Sequence, residues 1–237
     1  NPSGRLADTM WMDNAKNPVN VNFGWWVYEN AEELDVSVQV GNLLYPEVTM
    51  ASYEVYQEGV YLGYKYTETR YEDVVLGTPN VGTFNYNEVV AYPFGHGLSY
   101  SNFQTSDITV SKTGTREYTV SVKVTNDSSS NYSGKYSVPI YISKPYGEYA
   151  KSNGIQVPAV ELISYEKTKI LAPGESETLT IKLDEKFFTS YDANEAKGYV
   201  LMDGDYYIYQ EQAEHCYNYQ FLLVLVRKLL LPFVLSF

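Results

Sequence analysis

The sequence has few of the residues on which covalent cross-links and many catalytic sites depend. Cys216 is the single cysteine, so a disulfide within the chain and a cysteine-based metal cluster are both excluded. His96 and His215 are the only histidines, which argues against a histidine-rich metal site and against a Ser/His/Asp triad. The sequence also lacks a phosphate-cradling glycine loop, so we expect no cofactor and no bound metal.

Basic residues are also scarce. The chain has 17 Lys and Arg residues against 29 Asp and Glu residues, which gives a formal net charge of −12. A surface of this charge repels phosphate backbones and anionic lipid headgroups. We therefore expect no nucleic-acid partner and no membrane partner, whereas a neutral sugar would not be affected by the charge.

Long apolar runs are absent except at the C terminus, where Phe221–Phe237 reads FLLVLVRKLLLPFVLSF. A helix of about 17 residues is at the lower limit for crossing ~30 Å of hydrocarbon. Arg227 and Lys228 would lie near its middle, each at a cost of about 2.5–3.5 kcal/mol, and Pro232 interrupts the remainder. We interpret 212–237 as an atypical tail from a foreign or out-of-frame terminus, with an amphipathic anchor as the alternative. The rest of the chain is then expected to fold without Gln210–Phe237.

What the sequence does contain is enough apolar material for a core, and in its second half that material alternates with polar residues. Apolar residues make up 44% of the 237 residues. Alternation with period two runs through Tyr118–Val124, Val138–Ile142 and Leu179–Leu183, and turn residues such as Ala172–Glu175 separate the runs. This pattern predicts an antiparallel β-sandwich over 105–211.

The first half has no such sustained period. Aromatic residues between 7 and 53 are scattered among many Asn residues, which predicts long connecting structure with one short strand at Val36–Val40. Between Tyr53 and Tyr71 the aromatic spacing suits one face of a short helix, with Glu54 and Glu58 on another face of its opening turns. A hairpin arm is expected at Phe84–Val90.

Three segments resemble one enzyme family. They are NPSGRL at 1–6, EGVYLGYKY at 58–66 and AYPFGHGLSYSNF at 91–103, and they are similar to the closing segment of the second catalytic domain of family 3 glycoside hydrolases. VKVTND, APGESETLTIKL and GDYYIY further along resemble that family's fibronectin III-like domain. The resemblance implies a mainly β fold: an immunoglobulin/fibronectin-III-like antiparallel sandwich at 105–211, preceded at 1–104 by an incomplete, loop-rich remnant of an α/β sandwich domain.

The same resemblance implies a parent activity, hydrolysis of terminal β-D-glucosidic bonds with retention, on an oligosaccharide or β-glucoside substrate. The family's catalytic aspartate and glutamate belong to motifs that this chain lacks, so no catalytic residue is assigned. The chain is expected to be a structural portion that is inactive alone and that needs the absent barrel and α/β segments as partners. The alternative is a non-catalytic carbohydrate-binding or protein-interaction module. A cytoplasmic location is favoured over secretion, because sequons at Asn126 and Asn131 are the only sign of the latter.

Five acidic residues cluster in one segment, where a catalytic pair is conceivable. They are Glu54, Glu58, Glu68, Glu72 and Asp73. A retaining glycosidase needs two carboxyl groups about 5–5.5 Å apart, a distance that the sequence does not give. We favour the interpretation that these residues form a solvated face.

Aromatic residues of the first half are candidates for contact with sugar rings, whose apolar faces stack on Tyr and Trp. The substrate-binding candidates are Trp25, Trp26 and Tyr64, although packing within the protein is favoured for each. His96 is interpreted as a turn residue packed against the sandwich. Because the covering half of the α/β domain is absent, we also expect an exposed aromatic patch around 11–71 and a tendency to aggregate.

Overall fold

A computed structural model describes residues 1–23, 26–30, 33, 38–40, 43–45, 52–210, 224–228 and 233–234. The chain divides into two compact units. One consists of residues 1–12 and 63–237, and the other consists of residues 13–62.

Two antiparallel sheets make the predicted sandwich. One sheet has the strand order β11-β8-β7 and the other has the order β10-β9-β14-β15. The strands are β7 (Phe103–Lys112), β8 (Glu117–Asn126), β9 (Ser137–Ser143), β10 (Glu161–Lys167), β11 (Ser176–Asp184), β14 (Gly204–Tyr209) and β15 (Val224–Lys228). The predicted fold class is therefore confirmed, and the three alternating runs all lie in strands.

Alternation places one face of β8 and of β11 in a common core with residues of β7, β9, β10 and β14. Val120, Val122 and Val124 of β8 and Ile140 and Ile142 of β9 have no exposed side-chain surface, and they belong to one cluster with residues from both sheets. Each such side chain contributes about 1.5–3 kcal/mol through removal from water. The predicted turn at Ala172–Glu175 is present, since the Glu175 amide donates to the Ala172 carbonyl at 2.9 Å and Gly174 takes φ +79°.

A smaller apolar cluster lies beside the sandwich. It is formed by helix α4 (Glu148–Ser152), the loop that follows it, and the hairpin of β12 (Ser190–Asp192) and β13 (Gly198–Leu201). Its buried residues are Ala150, Ile155, Val157, Val200 and Met202.

The segments that precede the sandwich in this unit are short. Strand β1 (Met10–Trp11) pairs with β6 (Val90–Tyr92), and helix α2 spans Tyr64–Leu76. The predicted hairpin arm at Phe84–Val90 is wrong in part, because helix α3 (Tyr86–Val89) occupies most of it.

The predicted helix at Tyr53–Tyr71 is displaced. Helix α2 begins at Tyr64, because Gly59 and Gly63 take φ +60° and +52°, which a right-handed helix cannot include. Glu54 and Glu58 therefore precede the helix instead of opening it. Gly77 ends α2 with a left-handed φ of +64°.

The unit 13–62 contains helix α1 (Pro18–Asn22) and two small antiparallel pairs. The pairs are β2 (Trp26–Val27) with β5 (Ser52–Tyr53) and β3 (Val38–Val40) with β4 (Leu43–Tyr45). Of the strand predicted at Val36–Val40, Val38–Val40 form β3, and residues 36–37 lie outside the described residues. The expected exposure of aromatic residues is found here for Phe23, Trp26, Tyr28, Tyr53 and Tyr56.

Parts of the C-terminal tail are strands. Residues 224–228 form β15 beside β14, and β16 (Phe233–Val234) pairs with β13. The chain thus adds tail strands to both the sandwich and the β12–β13 hairpin. Among the described residues, no helix combines the length and apolar character that a membrane span needs. The origin of the tail as a foreign or out-of-frame terminus stays a prediction.

Candidate functional site

The N-terminal hexapeptide NPSGRL lies along the GHGLSYS segment. The Asn1 side chain donates to Ser101 Oγ at 2.6 Å and accepts from the Tyr100 amide at 3.0 Å. Leu6 pairs through its backbone with His96 and Gly95, at 2.7 and 2.8 Å. These bonds bring two of the family-like motifs together.

Arg5 connects this pairing to the sandwich. Its guanidinium donates to the Gly95 carbonyl at 2.8 Å and lies 4.7 Å from the centroid of the Tyr136 ring. Gly97 approaches the Gly4 carbonyl so closely that any β-carbon at position 97 would clash with it. The second glycine of the GHG sequence is therefore required by the approach of the two backbones.

His96 lies in the predicted turn, where its amide donates to the Pro93 carbonyl at 3.1 Å. Its ring lies 4.9 Å from the ring of Tyr92 in β6.

Residues in the first two turns of helix α2 form hydrogen bonds with the edge of the sandwich. The Tyr64 hydroxyl accepts from the Leu162 amide at 2.9 Å, and Thr69 Oγ1 accepts from the Ala159 amide at 2.9 Å. The Tyr64 ring lies 4.4 Å from the ring of Phe94. Burial is the main reason that the pKa of Tyr64 rises to about 12. The Tyr64 side chain thus packs against Phe94 and β10, and its role as a sugar contact stays a prediction.

A charged network lies beside this contact. Glu161 of β10 accepts from Lys144 at 2.9 Å through one oxygen and from Lys65 of α2 at 3.4 Å through the other. Lys144 is almost fully buried and also donates to the Thr189 carbonyl at 2.7 Å. Burial alone would raise the pKa of Glu161, but the two ammonium groups outweigh it and hold that pKa below its ordinary value. Burial lowers the pKa of Lys144, and Glu161 partly offsets that effect.

Sequence reasoning missed this network. Glu161 opens the VELISYE strand, and Lys144 follows β9, so neither lies near Lys65 in sequence. The only signal was that a lysine directly after an apolar strand lies close to a core, where a charge needs a partner.

The predicted solvated acidic face is wrong for two of its members. Glu58 and Glu68 are 9% and 2% exposed. Glu58 accepts from the side-chain Nδ2 of Asn22 at 3.2 Å, and Glu68 accepts from the buried Tyr86 hydroxyl at 2.7 Å. Tyr86 lies 18 residues beyond Glu68, so helical spacing alone could not reveal the pair.

The remaining acidic candidates are less enclosed. Glu54 is exposed. The pKa of Glu72 is raised by burial and by the charge of Asp73, which itself forms an ion pair with Arg70 at 3.7 Å. Among the described residues, no three histidine, cysteine, aspartate or glutamate side chains come together as metal ligands would.

The other sugar-binding candidates lie in the unit 13–62. Trp26 is in β2 opposite Tyr53 and is about half exposed. Trp25 falls outside the described residues. Their role as sugar contacts stays a prediction.

Comparison with known proteins shows what this chain is similar to. A family model described as a fibronectin type III-like domain matches residues 136–212. The chain is 30% identical to thermostable β-glucosidase B of Acetivibrio thermocellus over 88% of its own length and 21% of that enzyme. It is 33% identical to an exo-α-(1->6)-L-arabinopyranosidase of Bifidobacterium breve over 65% of its length and 17% of that protein.

A solved structure extends the likeness to the fold. The Bifidobacterium adolescentis GH3 β-glucosidase aligns with a TM-score of 0.60 at 26% identity, over 90% of this chain and 24% of that one. The chain thus spans about a fifth of the length of the curated relatives that it matches. As the sequence motifs predicted, it is a relative of the β-glucosidases of glycoside hydrolase family 3, and its second half carries their fibronectin type III-like domain.

Proposed function

We propose that this chain is part of a family 3 glycoside hydrolase that removes terminal β-D-glucosyl residues with retention, and that this part supports catalysis without performing it. The observation that carries the proposal is the use of all three family-like motifs as structural contacts. NPSGRL pairs with the GHGLSYS segment, and Tyr64 at the start of α2 is hydrogen-bonded to β10.

Three enclosed carboxylates of this chain have structural partners. Retention requires one carboxylate as nucleophile and a second carboxyl as acid/base. Glu161 is held by two lysines, Glu68 by Tyr86, and Glu58 by Asn22. A nucleophile enclosed by such partners would have to break them to reach a sugar. We therefore place the catalytic pair in the parts of the relatives that this chain does not cover.

The supporting role follows from how α2 and the hexapeptide are held. Both belong to the catalytic-domain side of the resemblance. Helix α2 is hydrogen-bonded to the fibronectin III-like sandwich, and the hexapeptide is hydrogen-bonded to the segment that leads into it. A catalytic group must be held within a fraction of an ångström of its working position. In the complete enzyme the sandwich would provide a rigid base for the domain that contains α2.

An activity assay of the purified chain tests the proposal. We expect no hydrolysis of an aryl β-D-glucoside above that of a Glu58→Gln/Glu68→Gln double variant. Turnover by the wild-type chain that is abolished by Glu54→Gln or Glu58→Gln would contradict it.

Sequencing the DNA on both sides of this reading frame gives a second test. We expect adjoining sequence that encodes a barrel domain with a candidate nucleophilic aspartate. Expression of that complete frame would then allow aryl β-D-glucoside and aryl α-L-arabinopyranoside to be compared as substrates. Preference for the arabinoside would leave the supporting role intact and overturn the glucoside specificity.

A further inference from the structure

Three exposed tyrosines lie around the small cluster beside the sandwich. Tyr146, Tyr191 and Tyr199 have exposed fractions of 54%, 53% and 46%. Tyr146 is distant in sequence from the other two, and two features of the structure connect the three residues.

The first feature is a pair of hydrogen bonds between two segments. Lys144 Nζ donates to the Thr189 carbonyl at 2.7 Å, and the Tyr149 hydroxyl donates to Asp192 Oδ2 at 2.7 Å. The stretch 144–149 is therefore joined to 189–192 at both ends. Tyr146 lies between the two joints on one segment, and Tyr191 lies between them on the other.

The second feature is the register of the β12–β13 hairpin, in which Tyr191 stands directly opposite Tyr199. The two ring centroids are 5.3 Å apart, with the planes at 70°. Ser190 and Asp192, on either side of Tyr191, are buried, so strand alternation directs Tyr191 outward. Tyr191 and Tyr199 thus project together from the hairpin.

Asp192 fixes the loop between β12 and β13 and joins it to Tyr149. Its carboxylate accepts from the amides of Asn194, Glu195 and Ala196, at 2.9, 3.0 and 3.1 Å, in addition to the Tyr149 hydroxyl. Burial would raise the pKa of Asp192, but these four donors outweigh it and lower the pKa to about 2. The loop that leads back from Tyr191 to Tyr199 is therefore held by a permanent negative charge.

We infer that Tyr146, Tyr191 and Tyr199 form a non-catalytic binding surface for a neutral chain of β-linked glucose units. All ring hydroxyls of such units are equatorial, so both faces of each ring present C–H bonds that stack on aromatic rings. A phenol adds a polar tip that can bond to hydroxyls at the ring edge.

The charges around the surface fit a neutral ligand. Lys151 lies 5.6 Å from the centroid of the Tyr146 ring. Glu148 lies in α4 with Lys151, and Glu195 lies in the loop between β12 and β13, so charges of both signs are present. The chain as a whole carries a charge of −12, which opposes an anionic polymer. This surface goes beyond the proposed function, because a support for catalysis needs no sugar site of its own.

Calorimetric titration of the full chain with cellohexaose tests the inference, with the α-linked maltohexaose as a second probe. We expect cellohexaose to bind. Tyr191→Ala and Tyr146→Ala should each weaken binding about twofold to tenfold, which is the range that one aromatic contact contributes. Tyr191→Trp should keep the affinity, whereas Tyr191→Leu should lose it although the site stays apolar.

Tyr165→Ala is the matched control, because Tyr165 is 71% exposed on β10 and lies outside the surface. It should leave binding unchanged, and thermal melting of every variant should match that of the wild type. Absence of cellohexaose binding would overturn the inference. An equal loss in Tyr165→Ala, or equal affinity for maltohexaose, would also overturn it, because the contact would then lack either the site or the linkage preference.

Discussion

The sandwich and the unit 13–62 use similar residues in opposite ways. Both are rich in aromatic and β-branched side chains, but the sandwich places Val120, Ile140 and Tyr206 in its core with no exposed surface. In the other unit Phe23 and Tyr56 remain 65% and 74% exposed. Apolar content alone therefore does not make a core. A core also needs a period that turns apolar residues toward one side.

Truncation of one residue in each unit would give the largest contrast. Ile140→Ala removes buried methyl groups from the sandwich and should lower its free energy of unfolding by about 2–5 kcal/mol. Val21→Ala in α1, an exposed site, should change it by no more than about 0.5 kcal/mol. Urea denaturation followed by fluorescence measures both. Equal effects would contradict the exposure of Val21.

Removal of the Glu161 charge tests how much the ion pairs with Lys144 and with Lys65 of α2 contribute to the free energy of unfolding. Glu161→Gln leaves Lys144 buried without its counter-ion and should cost about 1–3 kcal/mol at neutral pH. The pKa of Glu161 is lowered in the folded state, so its contribution is present above the unfolded-state pKa and is lost as pH falls through the folded value.

The difference between wild type and Glu161→Gln should accordingly shrink in acid, below about pH 4.3, the usual pKa of glutamate. Denaturation at a series of pH values provides the measurement, with Glu166→Gln, which is exposed on the same strand, as the control. A pH-independent difference would contradict the assigned role of the charge.

Loss of the Tyr64 hydroxyl tests a single hydrogen bond between α2 and the sandwich. Tyr64→Phe removes the acceptor of the Leu162 amide and should cost about 0.5–1.5 kcal/mol while the ring stays against Phe94. Native-state hydrogen exchange should show faster exchange at the Leu162 amide. Unchanged exchange would mean that another group satisfies this amide.

The smallest effect on stability is expected in the exposed unit. Tyr56→Ser should leave the free energy of unfolding within about 0.5 kcal/mol, because the side chain is largely in water. The same change should lower the binding of an apolar dye and the rate of aggregation, if exposed aromatics cause both. Dye binding that does not change would show that this residue is outside the responsible patch.

The sequence predicted the strands far better than the segments before them, and the reason is local. Tyr118–Val124 alternates strictly, and strand geometry needs nothing more than that alternation to bury one face. The start of α2 depended on backbone angles at Gly59 and Gly63, which aromatic spacing does not encode. The family-like motifs identified the relatives, but they gave no indication of which contacts those motifs make.

The sites were harder to predict because their members come from distant parts of the chain. Lys65 meets Glu161 only after the sandwich has formed, and Glu68 meets Tyr86 across the α2–α3 connection. A buried carboxylate therefore looked like part of a solvated cluster. Tyr191 and Tyr199 could have been noticed as outward positions of a short hairpin, whereas their connection with Tyr146 required the Lys144 and Tyr149 bonds.

The hydrogen bonds of the Asn1 side chain affect the order in which parts of the unit fold. Its side-chain partners, Ser99, Tyr100 and Ser101, lie 98 to 100 residues further along the chain. Contacts over such a sequence separation form late, because a long loop must close before they contribute. During synthesis Asn1 would lack these partners until residue 101 has left the ribosome. We therefore expect it to be the last part of its unit to become protected, and the part most open to proteases meanwhile.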